Sequence, residues 1–226
     1  MSDGVIYETK SDYAYNRVRE GILSGEFAPG AVLNQATLAV TIGISTTPLR
    51  EALRRLKSEG LVDLGAHRDA RISSLTAEEA RDLLEVRRSL DPLAAGLAAE
   101  RRTRDDIQAM REAARAVEPL LSNPTVDDMV AHRLFHATIY RSSHNELLIA
   151  TLDGLWDKAD RYRRLGLEVP RTQQERDVKS AEHAELLDCV IRGDAEGAAA
   201  VMHRHIDTSL GAKAAARLGR AHEWAG

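Results

Sequence analysis

Cysteine is nearly missing from this chain of 226 residues: Cys189 stands alone, which excludes an internal disulfide and fits a reducing cytoplasm. Cys189 lies beside Val190 and Ile191 in an apolar helical stretch, so it is expected to be buried rather than reactive. No run of 18 apolar residues occurs, and Met1 to Asp12 has no apolar core of the kind a secretory leader needs. Those two absences exclude a transmembrane helix and secretion, and they place the protein in the cytoplasm. Aromatic residues make up only 4% of the chain, and runs rich in alanine, leucine, arginine and glutamate favour helices over strands. A net charge of -4 excludes a general polyanion binder. Repeats and low-complexity tracts are also absent, as is the spacing of two histidines around a glutamate found in zinc proteases.

The hydrophobic share is 43% and the charged share 29%, enough for a core in one or two domains. The most informative stretch is 42–62. Ser45 and Thr47 suit a helix N-cap, Pro48 suits the first turn, and Leu49, Leu53 and Leu56 recur at helical spacing before Gly60 ends the element. The opposite face carries Arg50, Arg54 and Lys57, with Arg55 at its margin. Over 45–58 there are four basic residues to one acidic, whereas residues 1–75 balance at nine of each. A shorter helix, 35–42, precedes this one through Gly43, which makes a helix-turn-helix whose second member enters the DNA major groove. The segments 61–64 and 70–73 read as two strands of a wing offering His67, Arg68 and Arg71 to the DNA backbone or minor groove. The alternative is that this arginine-bearing hairpin is merely solvated.

The runs Leu33–Ala39, Ser45–Leu56 and Glu59–Val62 resemble the winged helix of the GntR (gluconate-repressor-like) transcription regulators over roughly residues 10–75. The resemblance implies DNA contacts from Gln35, Ser45, Thr46, Thr47, Arg50 and Arg54. Thr46 stands where the family usually has arginine, Gln35 where it has an acidic residue, and Asp69 where it has glycine. The operator sequence therefore does not carry over.

Thr76 with Glu79 forms a capping box, and the chain beyond it reads as helix. The fold is thus expected to be mainly α: a winged helix over 1–75, then an all-α bundle over 76–226. The bundle has about six helices, at 77–100, 104–121, 125–143, 145–165, 172–192 and 195–218. In the third, His132, Phe135, His136 and Ile139 share one face; in the fifth, His183 shares a face with Leu186, Leu187 and Val190. In the last, His205 lies with Val201 and Met202 while His203 points away. Four inward histidines on three helices are better explained as ligands to a divalent transition metal, zinc or nickel, than as a hydrogen-bonded cluster. Arg87 lies on the apolar stripe of Leu83, Leu90 and Leu97 and needs an anionic partner. That partner is either Asp91, four residues on, or a carboxylate ligand.

The segments Glu85–Leu90, Phe135–His136, Glu182–His183 and Gly193–Glu196, with Met202 and His205, resemble the C-terminal ligand domain of the FadR (fatty-acid-regulator-like) branch of that family. Many of those helical domains hold a metal through one aspartate and three histidines, with a carboxylate effector completing the site. The resemblance maps the histidines onto His136, His183 and His205, and the aspartate onto His132, which leaves an all-nitrogen set. The reading that follows is a ligand-responsive regulator, expected to be a repressor. It would bind a near-palindromic operator as a homodimer, with a carboxylate effector held near Arg87. The competing reading is a metal-dependent hydrolase fused to a winged helix, and a third is an architectural DNA binder without effector.

Overall fold

The computed structural model describes residues 9–65, 69–117 and 125–223, and the chain divides into two compact units, Met1–Leu75 and Thr76–Gly226. The first unit runs α1 (Lys10–Ser24), β1 (Val32–Asn34), α2 (Gln35–Thr41), α3 (Thr46–Ser58), β2 (Val62–Leu64) and β3 (Asp69–Ile72). Helix α1 begins at Lys10, earlier than apolar spacing suggests, because Thr9 and Asp12 satisfy each other's backbone N–H in a capping box. The strands form an antiparallel sheet in the order β1-β3-β2, with Val32 opposite Arg71 and Val62 opposite Ile72. Leu49, Leu53 and Leu56 of α3 are fully buried against Val18 and Ile22 of α1 and against Leu61 and Ile72. Each such side chain contributes about 1.5–3 kcal/mol through burial. Gly43, at φ 74, makes the left-handed turn between α2 and α3 that a residue with a Cβ would resist.

The second unit is helical among the described residues: α4 (Ala77–Arg101), α5 (Arg104–Ala116), α6 (Val126–Arg141), α7 (Glu146–Leu167), α8 (Gln173–Arg192), α9 (Ala195–Asp207) and α10 (Leu210–Glu223). The last expected helix, 195–218, is therefore two. The break has a local cause. The Thr208 hydroxyl bonds back to the Arg204 carbonyl at 3.0 Å, and Lys179 of α8 donates to the His205 carbonyl at 3.2 Å. Ser209 Oγ then accepts from the Ala212 N–H at 3.2 Å, which caps a new helix. Gly166 lets α10 cross α7 closely, since a Cβ there would collide with the Leu210 backbone. Helix α4 packs on α9 through Ala95, Ala98, Ala99, Ala198 and Val201, all buried.

At the start of α4, Tyr162 of α7 accepts the Thr76 N–H at 3.2 Å and donates to Glu79 at 2.7 Å. On the other side of this junction the Ser73 N–H donates to the Leu61 carbonyl at 3.1 Å.

Candidate metal centre and nucleic-acid interface

In the first unit, α3 turns its leucines inward and leaves Ser45, Thr46, Thr47, Arg50, Arg54 and Lys57 exposed. Ser45 is the N-cap residue but makes no side-chain capping bond, so its hydroxyl is not consumed by the helix. Gln35 is buried at the start of α2, where its Oε1 accepts from Arg50 Nε at 3.3 Å and fixes the root of that guanidinium. Arg55 is different: it lies 3.7 Å over the Tyr15 ring and bonds Glu59 at 3.4 Å, so it serves the fold. Among the described residues, Arg54 and Lys57 have no anionic partner. Arg71 is exposed on β3, yet its Nη1 donates to the Gly30 carbonyl at 2.8 Å and ties the hairpin to the loop before β1. Asp69 likewise accepts from Asn34 at 3.2 Å. His67 and Arg68 lie outside the described residues.

In the second unit the four inward histidines meet. His132 and His136 come from α6, His183 from α8 and His205 from α9, and one ring nitrogen from each lies within 4.8 Å of all the others. Ring centroids are 4.7 Å apart for His132 and His136, 4.8 Å for His183 and His205, and 5.0 Å for His136 and His205. Burial first holds both His132 and His136 well below the usual imidazole range; Arg163 and the neighbouring imidazoles add to it at His132, and the imidazoles of His205 and His183, then Arg87 and Arg163, at His136. Burial likewise pushes His183 down to about 3 and lowers His205 despite its bond to Glu182. All four rings are therefore neutral at pH 7, the form that binds metals.

A hydrogen-bonded histidine cluster would satisfy these nitrogens, and it does not form. His132 Nδ1, both ring nitrogens of His136, and His183 Nε2 are buried without a hydrogen-bond partner among the described residues. Each orphaned group costs about 1–3 kcal/mol unless something binds it. His205 is held differently. Its Nδ1 lies 2.9 Å from Glu182 Oε2, which also accepts from Lys179 Nζ at 2.7 Å. Burial works against ionising Glu182, but the hydrogen bonds from His205 and Lys179 prevail and hold its carboxyl down at about 2. The carboxylate thus fixes the Nδ1–H tautomer of His205 and leaves Nε2 with its lone pair. Four neutral nitrogens with a carboxylate behind one of them suit a divalent transition metal far better than calcium or magnesium.

The cluster faces a cavity of about 610 Å³ between α4, α6, α7, α8, α9 and α10. Arg87 lines it, and its Nε and Nη2 grip both oxygens of Asp91 at 3.2 and 2.9 Å. The helical pairing with Asp91 is thus formed, and the guanidinium still borders the cavity, lying 4.3 Å over the ring of Trp156. Arg163 stands 5.3 Å from the same ring, and His136 packs 5.3 Å from it. His203 is exposed beside Asp207, away from the cluster. Cys189 is buried in the helical core.

Trp156, Arg163, Glu182 and Lys179 escape a reading of the sequence by helix faces. Glu182 adjoins His183 on α8, and its partner His205 is 23 residues away on another helix. The alternation of apolar and charged residues in 152–163 signals α7 but does not say which charges turn inward.

Residues 10–68 match the gntR family of bacterial regulatory proteins, and residues 82–208 match the FCD domain family. The HTH-type regulator YdhC of Bacillus subtilis is 29% identical over 63% of this chain and 65% of its own length. The HTH-type transcriptional repressor GlaR of Escherichia coli is 26% identical over 87% of this chain and 92% of its own. The solved structure of Escherichia coli McbR/YncC superposes with a TM-score of 0.77 at 21% identity, covering 95% of this chain and 99% of that one, which speaks for the fold. No described helix is long and apolar enough to cross a membrane.

Proposed function

The chain belongs to the gntR family of bacterial regulatory proteins, as a transcription regulator with an FCD domain and not an enzyme, and from that premise we propose that it is a metal-assisted sensor of a small carboxylate. The observation that carries this reading is the meeting of four neutral imidazoles, with orphaned nitrogens, at the wall of a cavity of about 610 Å³. His132, His136, His183 and His205 would hold zinc or nickel, and a bound ion offers a Lewis-acidic contact to a ligand carboxylate. Glu182 holds the His205 tautomer, and Arg87, steadied by Asp91, gives the ligand a cationic neighbour.

DNA binding in this reading belongs to α3. Arg50 and Arg54 face the major groove, the hydroxyls of Ser45, Thr46 and Thr47 meet phosphates at its N-terminus, and the hairpin with His67, Arg68 and Arg71 flanks them. The functional unit is a homodimer on a near-palindromic operator, acting in the cytoplasm as a repressor, the role for which GlaR is named. Residues 1–75 read DNA, and residues 76–226 bind effector and partner. Ligand binding in the bundle then changes operator affinity, which is a coupling between two separate sites.

The test is elemental analysis of protein purified without a histidine tag or chelator, beside operator binding with and without ligand. His183→Ala and His205→Ala lose both metal and ligand response yet keep DNA binding, and His203→Ala changes neither. Equal, negligible metal in the parent and His183→Ala, with both still responding to ligand, refutes the metal reading.

A further inference from the structure

We infer, resting on the reading of the cavity as a ligand site, that the first half of α8 is a movable jaw over it, latched against α10 by Glu175 and Lys213. Residues that line the cavity and are also exposed mark its mouth. Among them are Gln174, Glu175, Val178 and Ser180 on α8, Thr208 at the end of α9, and Ala216 on α10. The mouth is therefore the seam between the first half of α8 and the chain from Thr208 onward. Val178 lines the cavity and is still half exposed, so the wall there is thin. Side chains bridge the seam. Lys213 Nζ of α10 donates to Glu175 Oε1 at 2.6 Å, and Lys179 Nζ of α8 donates to the Thr208 hydroxyl.

The two sides of the seam are anchored unequally. On α10, Ala214 is fully buried, Leu210 crosses Gly166 of α7 at close quarters, and Arg217 donates to the Leu165 carbonyl at 3.3 Å and to Glu168 at 2.6 Å. On α8 the buried residues are Leu186, Cys189 and Val190, all in its second half. From Gln173 to Glu185 every residue keeps some exposure, so little apolar burial holds this half down. Its ties are polar instead: Glu175 to Lys213 at the outer end, Lys179 to Thr208 and the His205 carbonyl, then Glu182 to His205. Water replaces such bonds as they part, which keeps the net cost of opening small. The side that moves is therefore α8, peeling from its outer end, and the Glu175–Lys213 pair is the first tie to break. His183 rides on the inner end of the same half, so full opening also parts it from the histidines of α6 and α9.

Hydrogen–deuterium exchange on the metal-free full chain tests the jaw directly. Amides of 177–183 are expected to exchange about tenfold or more faster than those of 187–192. Glu175→Gln and Lys213→Ala should each speed exchange over 177–183 about twofold or more, while 187–192 keeps its rate. The two substitutions shift the charge at the mouth in opposite directions, so a shared effect belongs to the latch and not to the local field. Arg192→Ala is the control: it breaks an exposed pair with Asp188 in the second half of α8, and 177–183 should stay at the parent rate. In nickel-loaded protein the same two latch variants should lose the metal to excess chelator about twofold or more faster than the parent. Even exchange along α8, or an effect over 177–183 in fewer than both latch variants, overturns the inference. Faster exchange with nickel release at the parent rate overturns the jaw as the route into the cavity. Parent protein that takes up no nickel overturns the metal reading alone, and the exchange profile then decides the jaw by itself.

Discussion

Glu182 makes the most exacting test of the histidine cluster, because it bonds one of the four imidazoles, His205, without being one of them. In Glu182→Gln the amide oxygen can still accept from His205 Nδ1, now 2.9 Å from the carboxylate, so the tautomer survives while the charge is lost. A charge-assisted bond is worth roughly twice a neutral one, so the imidazole becomes a weaker donor to the metal by about 1–2 kcal/mol. That corresponds to a loss of about 5–30-fold in affinity, the lower part of the range of about 10–100-fold seen when groups behind metal ligands are changed. Lys179 stays in place because it also donates to the His205 carbonyl at 3.2 Å. Glu182→Leu removes the acceptor altogether and should cost more than Glu182→Gln. Glu185→Gln is the control, since Glu185 pairs with Arg204 on the exposed surface at 2.8 Å. Competition for zinc against a chromogenic chelator at pH 7.5 measures all three. If Glu182→Gln binds zinc within about twofold of the parent while His205→Ala binds weakly, Glu182 serves the fold alone and the reasoning fails.

Three further outcomes are expected. Arg50→Ala costs roughly 1–3 kcal/mol on the operator and relaxes specificity at one base position, whereas Arg68→Ala weakens all sequences alike; a footprint unchanged by Arg50→Ala would remove α3 as the reader. Sedimentation at micromolar concentration gives a species of twice the 24.9 kDa chain mass, and a monomer both with and without DNA contradicts a two-fold operator complex. Glu175, held at about 2 by hydrogen bonds from Lys213 and the Thr172 N–H, contributes stability that is fully present above its unfolded value of about 4.5 and lost as pH falls toward 2. Melting temperature followed from pH 5 to pH 2 should therefore fall less in Glu175→Gln than in the parent, and parallel curves would exclude this contribution.

The helix-turn-helix was legible because its determinants are local. Leu49, Leu53 and Leu56 repeat at helical spacing, Gly43 marks the turn, and Arg50, Arg54 and Lys57 take the face left over. The histidines were legible as faces, since an i, i+4 pair on one helix and single histidines on two others can be counted without coordinates. Whether they met was not legible, because that depends on how α6, α8 and α9 pack. Arg87 illustrates the same boundary. Spacing offered Asp91 as a partner and burial demanded an anion, yet only geometry could show the pair formed with the guanidinium still bordering the cavity. The break at Thr208 and Ser209 was hidden for a related reason: part of its cause is Lys179, an amine from another helix bonding a carbonyl of α9.

The first turn of α4 is moored to α7. Tyr162 accepts the Thr76 N–H at 3.2 Å and donates to Glu79 at 2.7 Å, so a single phenol holds both the backbone and a side chain of that turn. Tyr162 stands on the same helix as Trp156, which lines the cavity. Any movement of α7 that accommodates a ligand must therefore carry the first turn of α4 along with it or break both of these bonds.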